Sequence, residues 1–175
     1  MRTDRILTIA IAVILLAAAA AFAQPHLGRN FVTHLDGDQG VPAVDTQAAG
    51  QAILHLSMDE TTLSYKVIAA NIENIVASHI HLGVAGVNGP VVAFLFGPAA
   101  PGGGRVDGVL AEGTITSADL VGPLAGMDLS VLVAAMRDKG TYVQVHTNDG
   151  VPPANTGPGD FPAGELRGQI MPVGP

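Results

Sequence analysis

The run Ile75-Val76-Ala77-Ser78-His79-Ile80-His81-Leu82 alternates with the period of a half-buried β-strand. Val76, Ile80 and Leu82 share one parity, and His79 and His81 take the other, so one face of the strand is apolar and the opposite face carries two imidazoles. The same reading extends along the chain. Period-2 runs at 30–35, 50–57, 62–69, 91–96, 108–115, 141–147 and 165–171 predict seven further strands, separated by Gly, Pro, Asn and Asp. Met58-Asp59-Glu60-Thr61 is a hairpin turn between the second and third runs, and 83–90 and 97–104 read as glycine-bearing loops. One stretch departs from the pattern. Ser117-Ala118-Asp119-Leu120 offers Ser117 as an N-cap, and Asp128–Lys139 sets Leu129, Leu132, Val133 and Met136 at helical spacing, with Gly140 to end the helix. There is no internal repeat and no second domain boundary. Eight strands and one short helical crossover predict an all-β fold, an antiparallel β-sandwich.

Parity also places the remaining polar residues. In 141–147, Val143 and Val145 point to the core, and Tyr142, Gln144 and His146 point away from it. In 165–171, Leu166 and Ile170 face in, and Glu165, Arg167 and Gln169 face out. If these strands are neighbours, His79, His81, His146, Glu165, Arg167 and Gln169 share one outer sheet face.

Composition narrows the function. The 175 residues carry 8 basic and 15 acidic side chains, for a net charge of −7, with only two lysines. Such a chain has no means of neutralising a run of phosphates, so a nucleic-acid partner is excluded. The absence of cysteine rules out a disulfide framework, a thiolate metal cage and a cysteine nucleophile. Residues 1–23 combine a basic start, an apolar centre and the ending Ala21-Phe22-Ala23, the pattern of a secretory signal peptide. Removing them takes away Arg2, Arg5 and Asp4 and leaves residues 24–175 at −8, a single domain expected to be secreted or periplasmic and free of the membrane.

Ser78-His79-Ile80-His81-Leu82-Gly83, followed by Gly86-Val87-Asn88-Gly89-Pro90-Val91-Val92, resembles the HIHxG…GxNGPVV block of the CHRD domain, first described in chordin. Tyr142-Val143-Gln144-Val145-His146-Thr147 is similar to its YVNVHT strand, and Gly164-Glu165-Leu166-Arg167-Gly168-Gln169-Ile170 to its closing GEIRGQI. Leu35, Val41-Pro42 and Gly50 match its opening. The resemblance covers about residues 31–171. Gln144 replaces the usual Asn, Leu166 the usual Ile, and 148–163 is longer than a compact member needs. The resemblance implies an immunoglobulin-like or superoxide-dismutase-like β-sandwich. Growth-factor antagonism, the role of the domain in chordin, does not transfer on fold alone.

Three readings of the polar face follow. His-x-His on a strand sets two Cα atoms about 7 Å apart on one face, and His146 from a neighbouring strand supplies a third nitrogen. Three imidazoles with an open position suit Cu or Zn, and donor softness does not choose between them. Glu165 is then a fourth ligand or an acceptor for an imidazole N–H. In the second reading the residues tie the fold together: His79 and His81 donate to carbonyls of 83–90, Arg167 pairs with Glu165 or a buried carbonyl, Thr147 and Gln169 support them, and Gly83, Gly86, Asn88, Gly89 and Pro90 shape the loop. The third is a binding or adhesive module for a protein or surface partner. The His-x-His strand also has a local likeness to copper–zinc superoxide dismutase, which raises copper-dependent redox activity as an alternative, although the full ligand set of that enzyme is not present. No Ser-His-Asp order, phosphate loop or paired carboxylates argues for catalysis. Asp36, Asp38, Asp45 and Asp149 read as solvated loop residues. His26, His34 and His55 stand alone, and His55 is a candidate accessory ligand.

Overall fold

The computed structural model describes residues 28–174, so the expected signal peptide at 1–23 and His26 lie outside the described residues. Nine strands and one α-helix are formed among those described: β1 (Asn30–Leu35), β2 (Ala49–Leu56), β3 (Leu63–Glu73), β4 (Ile75–Leu82), β5 (Val91–Phe96), β6 (Arg105–Ile115), α1 (Leu129–Arg137), β7 (Thr141–Thr147), β8 (Leu166–Gln169) and β9 (Met171–Val173). They build two antiparallel sheets, ordered β6-β3-β2-β1-β9 and β5-β4-β7-β8. Between the sheets lie Phe31, Leu35, Leu54, Leu56, Leu63, Val67, Ile80, Val143, Val145 and Leu166, each at most 1% exposed. Each such side chain contributes about 1.5–3 kcal/mol of transfer free energy. The expected all-β sandwich is the observed fold.

Three local expectations are corrected. The closing run is not one strand: Leu166–Gln169 pairs with β7, whereas Met171–Val173 crosses to the other sheet and pairs with β1. Ile170, fully buried, sits at the corner. Pro172 is tolerated because β9 is an edge strand. Thr116, not Ser117, caps the turn at 117–119, in a reciprocal box with Asp119. The Ser117 hydroxyl instead accepts from the Leu129 amide at the start of α1. The helix ends in a left-handed residue, but that residue is Lys139 (φ 57°). Gly140 then donates to the Ala135 carbonyl and Lys139 to that of Met136, closing a Schellman turn.

The sheets also meet along one side, where Asp36 and Arg167 exchange backbone hydrogen bonds of 3.1 and 2.9 Å. The outer face of the four-stranded sheet is not a solvent face. Tyr142, Glu165 and Arg167 are each 1% exposed and Gln144 is 6% exposed. Loops 83–90 and 148–165 fold over it and make a second buried layer, polar where the first is apolar.

Candidate metal centre

β4 and β7 are adjacent and antiparallel, with His79 opposite Gln144, His81 opposite Tyr142 and Ala77 opposite His146. A bulge between Ile75 and Ala77 tightens the local twist and lets Ile75 reach the core beside the expected Ile80. The register sets 77, 79 and 81 on the same face as 146, 144 and 142, and the three imidazoles converge beneath the loops. Ring centroids stand 5.7 Å apart for His79 and His81, 5.0 Å for His79 and His146, and 5.9 Å for His81 and His146. One nitrogen from each ring lies within 4.8 Å of those of the other two.

Their hydrogen bonds fix what those nitrogens are. His81 Nδ1 lies 2.9 Å from the Gly89 carbonyl oxygen, and His146 Nδ1 lies 2.9 Å from that of Pro162. A carbonyl only accepts, so each Nδ1 carries the proton and donates, and each Nε2 presents a lone pair. Both Nε2 atoms and both nitrogens of His79 are buried, each exposing less than 1 Å², and none has a hydrogen-bond partner. Leaving a buried polar atom unpaired costs about 1–3 kcal/mol, and here three of the four, one from each ring, lie within 4.8 Å of one another. Protonation offers no relief. Burial, and then the neighbouring His146 and His81, lower the His79 pKa to about 4. Burial is also the leading cause that lowers His81 and His146, in each case against the carbonyl bond that favours the charged ring. Near neutrality the cluster is three neutral imidazoles. Two are clamped by Nδ1–H bonds to backbone carbonyls, as imidazoles that ligate a metal commonly are. Regular coordination at about 2.0–2.1 Å separates neighbouring donors by about 3.3–3.6 Å, so small ring rotations suffice to bring these nitrogens onto one ion.

The remaining residues expected on this face surround the histidines without joining them. Tyr142 stacks on His81, 4.9 Å between centroids and 11° between planes, and the Arg167 guanidinium lies 3.7 Å from the centre of the Tyr142 ring. Arg167 donates to the carbonyls of Val84 and Val87 and to Asn88 Oδ1, and so holds loop 83–90 down. Asn88 passes the tie on to the Val41 carbonyl. Within that loop Gly86 needs its positive φ of 79°, and a Cβ on Gly89 would overlap the Leu82 carbonyl oxygen. Gly83 and Pro90 bracket the loop through backbone bonds to Gly140 and Leu82. Gln169 Nε2 donates to the carbonyls of Gly83, Lys139 and Thr141. Glu165 neither joins the histidines nor pairs with Arg167. Its carboxylate accepts from the hydroxyls of Thr46 and Thr147 and from the Gly159 amide, anchoring loop 148–165.

Other candidates stay apart. His55 bonds Asn30 Oδ1 at 2.6 Å, and His34 is exposed with Asp36 4.0 Å away. Asp36 caps Gln39, and Asp45 lines an open polar cleft with Asn71, Glu73 and Arg105. Among the described residues, the three histidines are the one group of this kind able to share an ion. Phe94 was not expected here. It pairs with His79 across β4 and β5 and meets that ring edge-on, 4.6 Å between centroids at 84°. Plain alternation groups Phe94 with the buried Val92. Register shifts on both sides of the His79–Ile80 pair turn it outward instead, a change that carries no sequence signal.

These features define a class: a two-sheet antiparallel sandwich with a histidine cluster roofed by two loops. The chain matches the family model of the CHRD domain over residues 31–170 and belongs to that family. No curated protein and no solved structure matches it.

Proposed function

We propose that this is an exported metal-binding domain, holding one copper or zinc ion on His79, His81 and His146. One observation carries the reading: three neutral imidazoles turn unpaired, buried nitrogens toward a common point, and two of them are oriented by carbonyls on their far side. A cation satisfies all three lone pairs at once and removes the cost of burying them unbonded. Export is supported by the basic-apolar-Ala-x-Ala start.

A competing reading makes the histidines fold ties only, and the Nδ1 bonds of His81 and His146 favour it. It gives no account of His79, which is sunk among the other rings and bonds to nothing. Elemental analysis of protein recovered from the periplasm or medium separates the two. The expected result is one ion per chain in the native protein and almost none after His79→Ala or His146→Ala, with folded circular-dichroism spectra retained. Equal metal content in all three proteins would leave the fold-tie reading standing alone.

A further inference from the structure

We propose that the centre holds copper in its monovalent state, three-coordinate on His79, His81 and His146, in preference to any divalent ion. This rests on the metal-binding reading above and deepens it by assigning the charge of the ion. The first argument is the charge around the cluster. All three donors are neutral, and no carboxylate belongs to the group. The Glu165 carboxylate is turned to Thr46, Thr147 and Gly159. The charged side chain stacked against the cluster is positive: Arg167 is 1% exposed, and its side-chain bonds go to carbonyls and an amide oxygen rather than to a carboxylate. It stands one ring beyond His81, with Tyr142 between them.

The cost of burying an ion grows with the square of its charge, so a dication here carries about four times the desolvation penalty of a monocation. It also meets twice the repulsion from Arg167, with no anionic ligand to offset either. Zinc relieves this elsewhere by binding water or hydroxide in a fourth position. In this centre the donor nitrogens each expose less than 1 Å². Phe94, itself half-exposed, lies edge-on against His79 from the neighbouring strand β5. A filled-shell monovalent copper ion accepts three neutral nitrogens and needs no fourth ligand.

The test uses the metal-free domain, titrated without oxygen. Cu(I) is delivered with ascorbate as reductant and a chromophoric Cu(I) chelator as competitor, and Cu(II) and Zn(II) are titrated separately by calorimetry. The expected result is one Cu(I) per chain, bound at least about a hundredfold more tightly than Cu(II), which raises the one-electron potential by about 120 mV at 59 mV per tenfold. Zn(II) is expected to bind more weakly than Cu(II), following the usual divalent order. Cu(II) or Zn(II) held as tightly as Cu(I) would overturn the preference and leave the metal site intact. Failure of all three ions to bind would overturn the site itself. Phe94→Ala, which admits water, is expected to narrow the Cu(I)-over-Zn(II) ratio at least tenfold. An unchanged ratio removes the sealing role given to Phe94.

Discussion

His79 is the residue on which the chemistry turns. His81 and His146 each repay part of their burial with a carbonyl bond, whereas His79 repays none. Its lowered pKa has a thermodynamic consequence. An unfolded histidine takes up a proton near pH 6.5, and the folded His79 does so only at about 4. Between those values the unfolded chain binds more protons, so acid favours unfolding. The stability associated with the neutral ring is complete above about pH 6.5 and is lost as the pH falls toward 4. The thermal midpoint of the metal-free domain is therefore expected to hold steady above pH 7 and decline between about 6.5 and 4. His79→Gln, which has no proton to gain, should make that decline shallower, the remainder belonging to His81 and His146, whose pKa values burial also lowers. Calorimetric scans across this range check it, and a parallel decline in both proteins would contradict the assignment to His79.

At the scale of elements, strands and loops divide the work. Strands β4 and β7 bring the imidazoles together, and loops 83–90 and 148–165 orient them through Gly89 and Pro162. Arg167 on β8 holds the first loop by three hydrogen bonds and stacks on the ring that backs His81. Lysine lacks both the planar fork and the stacking face. Since a hydrogen bond to a charged group is worth about 1.5–3 kcal/mol, Arg167→Lys is expected to cost about 3 kcal/mol in urea unfolding. Amide exchange should quicken across 83–90 while 148–165 stays protected. Uniform exchange in both loops would show that Arg167 does not act on 83–90 in particular. Strands such as 75–82, 91–96 and 141–147 were legible to the residue, because each is a β-prone run bounded by turn residues. The corner at Ile170 was not, since alternation runs unbroken through a chain that changes sheets. Nor was Lys139, because its left-handed turn is imposed by the way α1 hands over to β7.

Across the whole molecule the sandwich has two buried layers, and the sequence spoke differently about each. The apolar layer between the sheets is written in side-chain hydrophobicity and could be read directly. The polar layer above the four-stranded sheet is held by backbone carbonyls of distant loops, and a carbonyl is the same in every residue. Parity therefore grouped His79, His81 and His146 correctly on one face but described that face as outward, and it left Glu165 as a candidate ligand when the carboxylate instead anchors a loop. The central claim is that these three rings hold one ion through the nitrogens turned away from the loops. It is tested most directly by following the ring nitrogens of ¹⁵N-labelled histidines while the metal-free domain is titrated with diamagnetic Cu(I) or Zn(II). The account predicts that Nε2 of His81 and His146 and one nitrogen of His79 shift together and saturate at one ion per chain, with the Nδ1 protons of His81 and His146 retained. Ring nitrogens that stay unmoved at saturating metal, or shifts confined to the exposed His34 and His55, would contradict it.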